Sequence, residues 1–429
     1  MLESRLFPPV CLGVAFLVRV GWILLVDPKP VSDFYTYFTS GLEISLGHGY
    51  HEGGLPTALW PVGYPAFLGG IFAIFGRSLF VAKLANVFLY VGIIALSYRL
   101  AARLFRSSLT PRLTLLLLSF YPNHIAYASL VACETLFVFL LMLGALLFLS
   151  ANSRYPMLVL SGVVLGLASL VRPQALLAPI LFVLLAPGSK QAGRRAGSRL
   201  LSLAIVYVGV TLAVLPWTLR NYRAFGRLVV VSTNGGGMLL LGNNPWADGT
   251  YAPRPELHRI MNGRSEPERD DQGRKFALSY MREHPIETVM RWPRKLWYLY
   301  RGDVEGIRWN VEGIHARGAS VPEERLLTAL LISEAYYLLV AAACLASLFF
   351  FWKGSLGSGG GQATFTALGL GVIAYFSLLG MVYFGDPRYH FPAMPWVVMY
   401  AAALPEAIES AWGARKVPSA HISAARGSR

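Results

Sequence analysis

Eight ionisable residues stand in or beside long apolar runs of this sequence: Arg19, Asp33, Lys83, Glu134, Arg172, Glu334, Asp386 and Arg388. A charge at membrane depth is costly, so such residues are read first as functional. Asp33 is the best general base among them, against a simpler reading in which its carboxylate answers the amides of a helix start. Glu134 is a second acid, or a snorkelling residue at a helix N-terminus. Arg172-Pro173 offers a planar fork for phosphate oxygens, or merely ends a helix. Asp386 and Arg388 share the turn Gly385-Asp386-Pro387-Arg388-Tyr389-His390, where a structural ion pair is the plainer alternative. Arg19 reads as buried structure. His48 and His51 are too few for a metal site, so no metal or other cofactor is expected to be required.

The elements that must hold these groups are membrane helices. Of 429 residues 55% are apolar and only 14% charged, with 13% aromatic and a mean hydropathy of +0.50. A soluble chain carries about 25% charged residues. Water-soluble enzymes, secreted disulfide scaffolds and disordered chains are thereby excluded. Ten spans are read, at 6–26, 79–98, 111–127, 131–149, 156–171, 174–186, 200–219, 326–352, 364–384 and 389–405. Of these, 156–171 and 174–186 are short and split by Arg172-Pro173, and 111–127 contains Pro122. The first, interrupted by Arg19 and lacking a cleavage site, is expected to be a retained helix.

The formal charge of +15 is explained by topology. With the N-terminus inside, the inner segments carry fifteen basic residues (among them Arg99, Arg103, Arg106, Lys190, Arg194, Arg195, Arg415, Lys416, Arg426 and Arg429) against three acids, Glu3, Glu406 and Glu409. Nucleic-acid binding is therefore not expected. Cys11, Cys133 and Cys344 are far apart, with no metal or redox spacing.

Two segments between spans are too long for connectors, and both fall outside. In 27–78, Ser32 is a candidate N-cap and Gly47 a stop for a helix lying in the interface. Its inner face is Phe34, Tyr37, Phe38, Gly41, Leu42 and Ser45, with Thr36, Ser40 and Glu43 opposite. The prolines of Pro56-Thr57-Ala58-Leu59-Trp60-Pro61-Val62-Gly63-Tyr64-Pro65 forbid a regular helix there, and Trp60 and Tyr64 suit headgroup level. Segment 220–325 reads as a small outer domain. Its runs Ser232-Thr233-Asn234-Gly235-Gly236-Gly237 and Gly242-Asn243-Asn244-Pro245 supply amides for sugar hydroxyls, or plain turns. The resulting organisation is 1–219, a membrane module containing the first outer loop; 220–325, the outer domain; 326–405, the last spans; and 406–429, a basic inner tail. A Gly/Ser linker covers 354–361, and no internal repeat is present.

In order and in position relative to the spans, a set of short motifs resembles glycosyltransferase family 39 of the membrane GT-C superfamily, which includes protein O-mannosyltransferases and lipid A aminoarabinose transferases. The motifs are Asp33 with Tyr37, Gly47-His48-Gly49-Tyr50, Pro56-Thr57-Ala58, Pro61 to Pro65, Glu134-Thr135-Leu136-Phe137, Arg172-Pro173, Pro216-Trp217 to Arg220-Asn221-Tyr222, Gly242 to Pro245, and Gly385 to Tyr389. The chain departs from the protein mannosyltransferases where Phe34, not an acid, follows Asp33, and its C-terminal region is shorter than in some relatives.

The resemblance implies an all-α GT-C fold of about ten membrane helices, with interfacial helices in the first outer loop. It implies inverting transfer of a sugar from a polyprenyl-phosphate donor to a lipid, glycan or protein hydroxyl, on the outer face of a bacterial plasma membrane. Asp33 would act as base with Glu134 beside it, Arg172, Arg388 and Arg220 would hold the donor phosphate, and Tyr37, His51, Tyr64, Asn243, Asn244 and Tyr389 would line the substrates. The rival is a polyprenyl-linked lipid or glycan transporter, which predicts polar residues at mid-membrane on several spans.

Overall fold

The computed structural model describes residues 4–151, 154–185, 196–357 and 363–413. The expected inner-loop charges Lys190, Arg194 and Arg195, the linker residues 358–361 and the basic tail with Arg415, Lys416, Arg426 and Arg429 lie outside the described residues. What is described is helical apart from turns and one two-residue hairpin, His51–Glu52 with Leu55–Pro56. It is an all-α membrane protein.

Five helices are long and apolar enough to cross a bilayer: Phe7–Leu25, Leu79–Leu104, Cys133–Ser150, Arg199–Phe225 and Glu323–Gly354. A sixth would be Pro387–Ala402 with Leu404–Trp412, bent by 46°. Gly63–Phe75, Leu109–Ser119, Tyr155–Val171, Pro173–Leu185 and Ala367–Val382 are shorter apolar helices. The run expected as one span over 111–127 is instead two pieces, Leu109–Ser119 and Pro122–Tyr127. Pro122 has no N–H to continue the ladder, so the first piece ends before it.

That break explains Arg19. In hydrocarbon the last carbonyls of a helix need donors from the protein. The fully buried Arg19 guanidinium donates to Leu118 O and Ser119 O, each at 3.0 Å, and lies 5.3 Å from the Tyr90 ring centre. The opposite flank of its helix shows Val10, Leu17 and Leu24 outward, where lipid replaces water. Lys83, also buried, pairs with Asp27 at the far end of that first helix.

In the first outer loop the helix Ser32–Ser45 lies against Gly63–Phe75. Gly41 faces Leu68, where an added Cβ would stand 2.8 Å from Leu68 Cβ, and Phe38 meets Phe72 edge-on at 5.5 Å. This second helix buries Ser40, which was expected on the outward face. Exposed Tyr35, Ile74 and Phe75 leave the pair apolar on one side, as an interfacial position requires. Gly47, at φ +82°, follows the end of the first helix as expected, but Ser32 is not its cap. Ser32 itself begins the helix on a left-handed backbone, φ +53°, after extended Val31.

Residues 235–283 form a small second core around Leu239, Leu240, Leu257 and Ala277. This part is docked to the membrane helices through backbone. Gly385 N donates to Gly249 O at 2.9 Å, and Gly385 meets the carbonyl of Lys295 so closely that a Cβ has no room.

Candidate active site

Four elements bring four charges together. Asp33 sits in the first turn of Ser32–Ser45, and Glu134 is the second residue of Cys133–Ser150. Arg172 follows the last residue of Tyr155–Val171, with Pro173 preventing its continuation. Arg388 lies in the 3₁₀ turn Pro387–Ala393, opened by Asp386 Oδ1 accepting the Arg388 N–H at 2.9 Å. Arg172 owes its position partly to Gly63. A Cβ on Gly63 would approach the backbone of Leu170 and Val171 to 2.6 Å, closer than any side chain allows.

The Arg388 fork donates to both Asp33 oxygens, from Nη1 to Oδ1 at 3.2 Å and from Nη2 to Oδ2 at 2.7 Å. Its Nε donates to Glu134 Oε1, and Arg172 Nη2 donates to the same oxygen. The result is a continuous neutral chain, Asp33–Arg388–Glu134–Arg172. Glu134 is wholly buried and Asp33 is 9% exposed. Charges taken this far out of water persist only when paired in good geometry.

The two arginines are not equivalent. All three Arg388 nitrogens are committed to carboxylates. Among the described residues Arg172 holds Glu134 through Nη2 alone, and its buried Nε and the buried Oε1 of neighbouring Gln174 have no partner. Arg172 lies 5.5 Å from the ring centre of Tyr389, which orients the guanidinium. Asp33, receiving one donor per oxygen, keeps lone pairs for a further hydrogen bond. Tyr37 packs edge-on to Trp60 and Tyr64, and the one contact of its hydroxyl among the described residues is Cys133 Sγ at 3.7 Å.

Other expected site residues lie elsewhere or are differently engaged. Tyr64 is fully buried, packs edge-on to Tyr37 and donates to Asn86 Oδ1 at 3.2 Å. His51 is exposed on the hairpin. Arg220 donates to Thr57 O at 2.8 Å and Tyr50 O at 2.6 Å and stacks on Trp217, so it braces the first outer loop. Asn243 and Asn244 close the end of Gly235–Gly242. Asn243 donates to Leu239 O and Val382 O and accepts from Lys295, while Asn244 donates to Leu240 O and accepts from Trp246 N. Their amides are occupied within the protein.

Two supports escaped the sequence reading. Glu266 accepts from Thr57 Oγ1 at 2.7 Å, Ala58 N at 2.9 Å and Thr233 Oγ1 at 3.1 Å, clasping the first outer loop to the second. Two residues after Arg388, buried His390 is stacked between Tyr300 and Tyr337, tilted by only 11° and 12°. Its Nδ1 lies 2.5 Å from Leu299 O and its Nε2 3.3 Å from Asp303 Oδ1; Asp303 also accepts from Tyr121 and Asn123. Both imidazole nitrogens face acceptors, which anchors the turn that carries Arg388. The partners are up to 182 residues apart in sequence, and no local pattern marks them.

Among the described residues no three His, Cys, Asp or Glu side chains converge as metal ligands. Asp33 and Glu134 face guanidinium groups, which does not fit a cation site.

Residues 60–217 match the family described as dolichyl-phosphate-mannose-protein mannosyltransferase. Among solved structures, the chain is similar to an oligosaccharyltransferase of Archaeoglobus fulgidus complexed with zinc and sulfate, at TM-score 0.54 and 15% identity over 94% of this chain and 50% of that one. The archaeal oligosaccharyltransferase AglB from the same organism, in complex with an inhibitory peptide and a dolichol-phosphate, aligns at TM-score 0.54 and 16% identity over 95% and 52%. ArnT from Cupriavidus metallidurans, bound to undecaprenyl phosphate, aligns at TM-score 0.43 and 17% identity over 96% and 78%. No curated protein matches. The chain spans about half the length of the oligosaccharyltransferase structures it matches. The family match is confined to residues 60–217, and the likeness to the archaeal oligosaccharyltransferase structures, at 15–16% identity, is one of fold.

Proposed function

We propose that this protein moves a sugar from a polyprenyl-phosphate donor to a hydroxyl acceptor at the outer surface of a bacterial plasma membrane. The observation that carries the reading is the chain Asp33–Arg388–Glu134–Arg172, with one carboxylate and one guanidinium each keeping capacity for a ligand. A neighbour in fold whose structure holds dolichol-phosphate supports the donor class.

In the reaction, Asp33 accepts the hydrogen bond of the acceptor hydroxyl and takes its proton as the oxygen attacks the anomeric carbon. The new C–O bond forms as the anomeric bond to phosphate oxygen breaks, from the opposite face, so the configuration inverts. The transition state has oxocarbenium character of the kind known in glycoside cleavage. The departing polyprenyl phosphate carries away the bonding pair, and Arg172, which gives only Nη2 to Glu134 among the described residues, receives that growing charge. Arg388 holds the base in place, Glu134 fixes both guanidinium groups, and Tyr37 and Tyr389 are the aromatic groups nearest the substrates.

The test is incubation of purified protein with polyprenyl-phosphate sugars and membrane extract, followed by chromatography of the lipid. Release of polyprenyl phosphate with an inverted glycoside is the expected result. Movement of intact donor across vesicles without release would replace the enzyme reading by the transporter.

A further inference from the structure

A recess with a mostly apolar lining and charged residues on its walls lies outside the four-charge cluster. A cavity of about 370 Å³ opens between the turn 301–305, Arg308 and the first turns of the helix Glu323–Gly357, with Pro387 on one wall. That volume lies within the usual range of small-ligand sites, about 300–1,000 Å³. Four charges line it: Arg301, Glu305, Arg308 and Glu334. Arg308 and Glu305 satisfy each other at 3.3 Å. Arg301 and Glu334 remain.

Among the described residues Arg301 has no carboxylate partner. It stands 5.0 Å from the ring centre of Tyr298, which holds its guanidinium in one orientation. Glu334 has no cationic partner among them. Its Oε2 accepts only the long Asp303 N–H, at 3.3 Å, and lies against Gly302, where a Cβ would stand 2.8 Å away. The recess therefore presents one cation outside any ion pair, Arg301, whose charge reaches Glu305, and one anion without a cation, Glu334, with no net charge. A polyanion would meet two carboxylates, and a simple cation two guanidinium groups. A ligand bearing one phosphate and one ammonium satisfies both.

The rest of the lining says where that ligand comes from. Leu330 and Leu331 line the recess, and Leu327, Leu331 and Leu338 stand outward on the same membrane-spanning helix, more than half exposed each. They form an apolar stripe running from the recess toward the hydrocarbon, where acyl chains lie. We infer that this recess binds the headgroup of a zwitterionic phospholipid, its phosphate on Arg301 and its ammonium on Glu334. The lipid is a bound partner and not a sugar donor or acceptor. Through Pro387 it braces the turn that carries Arg388, and its binding is independent of the transferase reading.

The test uses the full-length purified protein, delipidated and titrated with phosphatidylethanolamine or phosphatidylglycerol of identical acyl chains. Bound lipid is counted by native mass spectrometry. The wild type should prefer phosphatidylethanolamine about tenfold, the value of one charge-assisted contact. Glu334→Gln should abolish that preference while keeping phosphatidylglycerol binding, and Arg301→Gln should weaken both. Where either variant does not fold, Leu331→Trp, which fills the recess, must lower phosphatidylethanolamine binding. Equal binding of the two lipids by the wild type, or an unchanged preference in Glu334→Gln or Leu331→Trp, would overturn the proposal. So would equal affinity for chain-free phosphoethanolamine, which would make the ligand a soluble one.

Discussion

Arg172 and Arg388 are a pair that only coordinates can tell apart. In sequence each is an arginine beside a proline at the rim of an apolar run. In space Arg388 is the fastener between two acids, and removing it strands Asp33 and Glu134 without their cation. Breaking a buried pair from one side costs about 3–5 kcal/mol, so Arg388→Ala should lower the thermal midpoint strongly and abolish transfer. Arg172→Lys keeps the charge but loses the fork. It should leave the midpoint nearly unchanged and raise the KM for the donor about tenfold, as steady-state kinetics against both substrates would show. Equal losses of stability in the two variants would contradict this division of roles. The carboxylates and guanidinium groups themselves were legible from the sequence, because ionisable residues are rare beside apolar runs. Their pairing was not, since Asp33 and Arg388 are 355 residues apart. Asn243, Asn244 and Arg220 misled for the opposite reason. Their types suit sugar and phosphate, but a helix end and two loop carbonyls use them first.

At the scale of elements, glycine and lysine make the joints. Gly63 lets the helix Gly63–Phe75 touch the backbone of residues 170 and 171, immediately before Arg172. Gly63→Ala should therefore cut the transfer rate by more than its small loss of melting temperature would suggest, and normal activity at normal stability would sink that reading. Lys295 ties the outer segment to the membrane part. Its side chain is buried against Asn243, 3.2 Å from Oδ1, and burial pushes its ammonium down to about 8. An unfolded lysine titrates near about 10.4. Between those values the unfolded chain binds more protons than the folded one, so stability rises with pH across that window. The thermal midpoint should climb from about pH 8 to about pH 10 beyond what other groups contribute, and Lys295→Met should remove that part of the slope. A slope unchanged in the variant would contradict it. Five expected spans, 6–26, 79–98, 131–149, 200–219 and 326–352, fall on helices long enough to cross, because twenty-residue apolar runs have few other uses. By contrast 111–127, 156–171, 174–186 and 364–384 fall on shorter helices. The breaks after Ser119 and at Arg172-Pro173 were legible only as prolines, and the burial of Ser40 and Tyr64 depended on a helix-helix contact that no local pattern contains.

The whole molecule divides its polar groups between two ends. At one end lie the four-charge cluster and the helices of 235–315. At the other, Glu406 accepts from Arg106 N at 2.8 Å, Ser107 N at 3.1 Å and Thr110 Oγ1 at 3.0 Å, closing the start of Leu109–Ser119. With Arg99, Arg103 and Arg106 in the short segment at this second end, the proposed orientation puts the cluster outside. In intact cells a membrane-impermeant maleimide should label Leu55→Cys, on the exposed hairpin, and spare Arg103→Cys until the membrane is opened. The reverse pattern would turn the molecule over. The fold class could be read from composition together with the order of motifs, whereas the contact between the two outer segments through Glu266 could not.

Asp33 is the group proposed to take the acceptor's proton, and one rate measurement tests that role. Wild-type protein and Asp33→Asn, matched for monodispersity and thermal midpoint, are compared in single-turnover release of polyprenyl phosphate from a polyprenyl-phosphate sugar. Loss of a general base predicts a fall of about 10²–10⁴-fold in the variant, with donor binding retained through Arg172. Release by Asp33→Asn at the wild-type rate would contradict it.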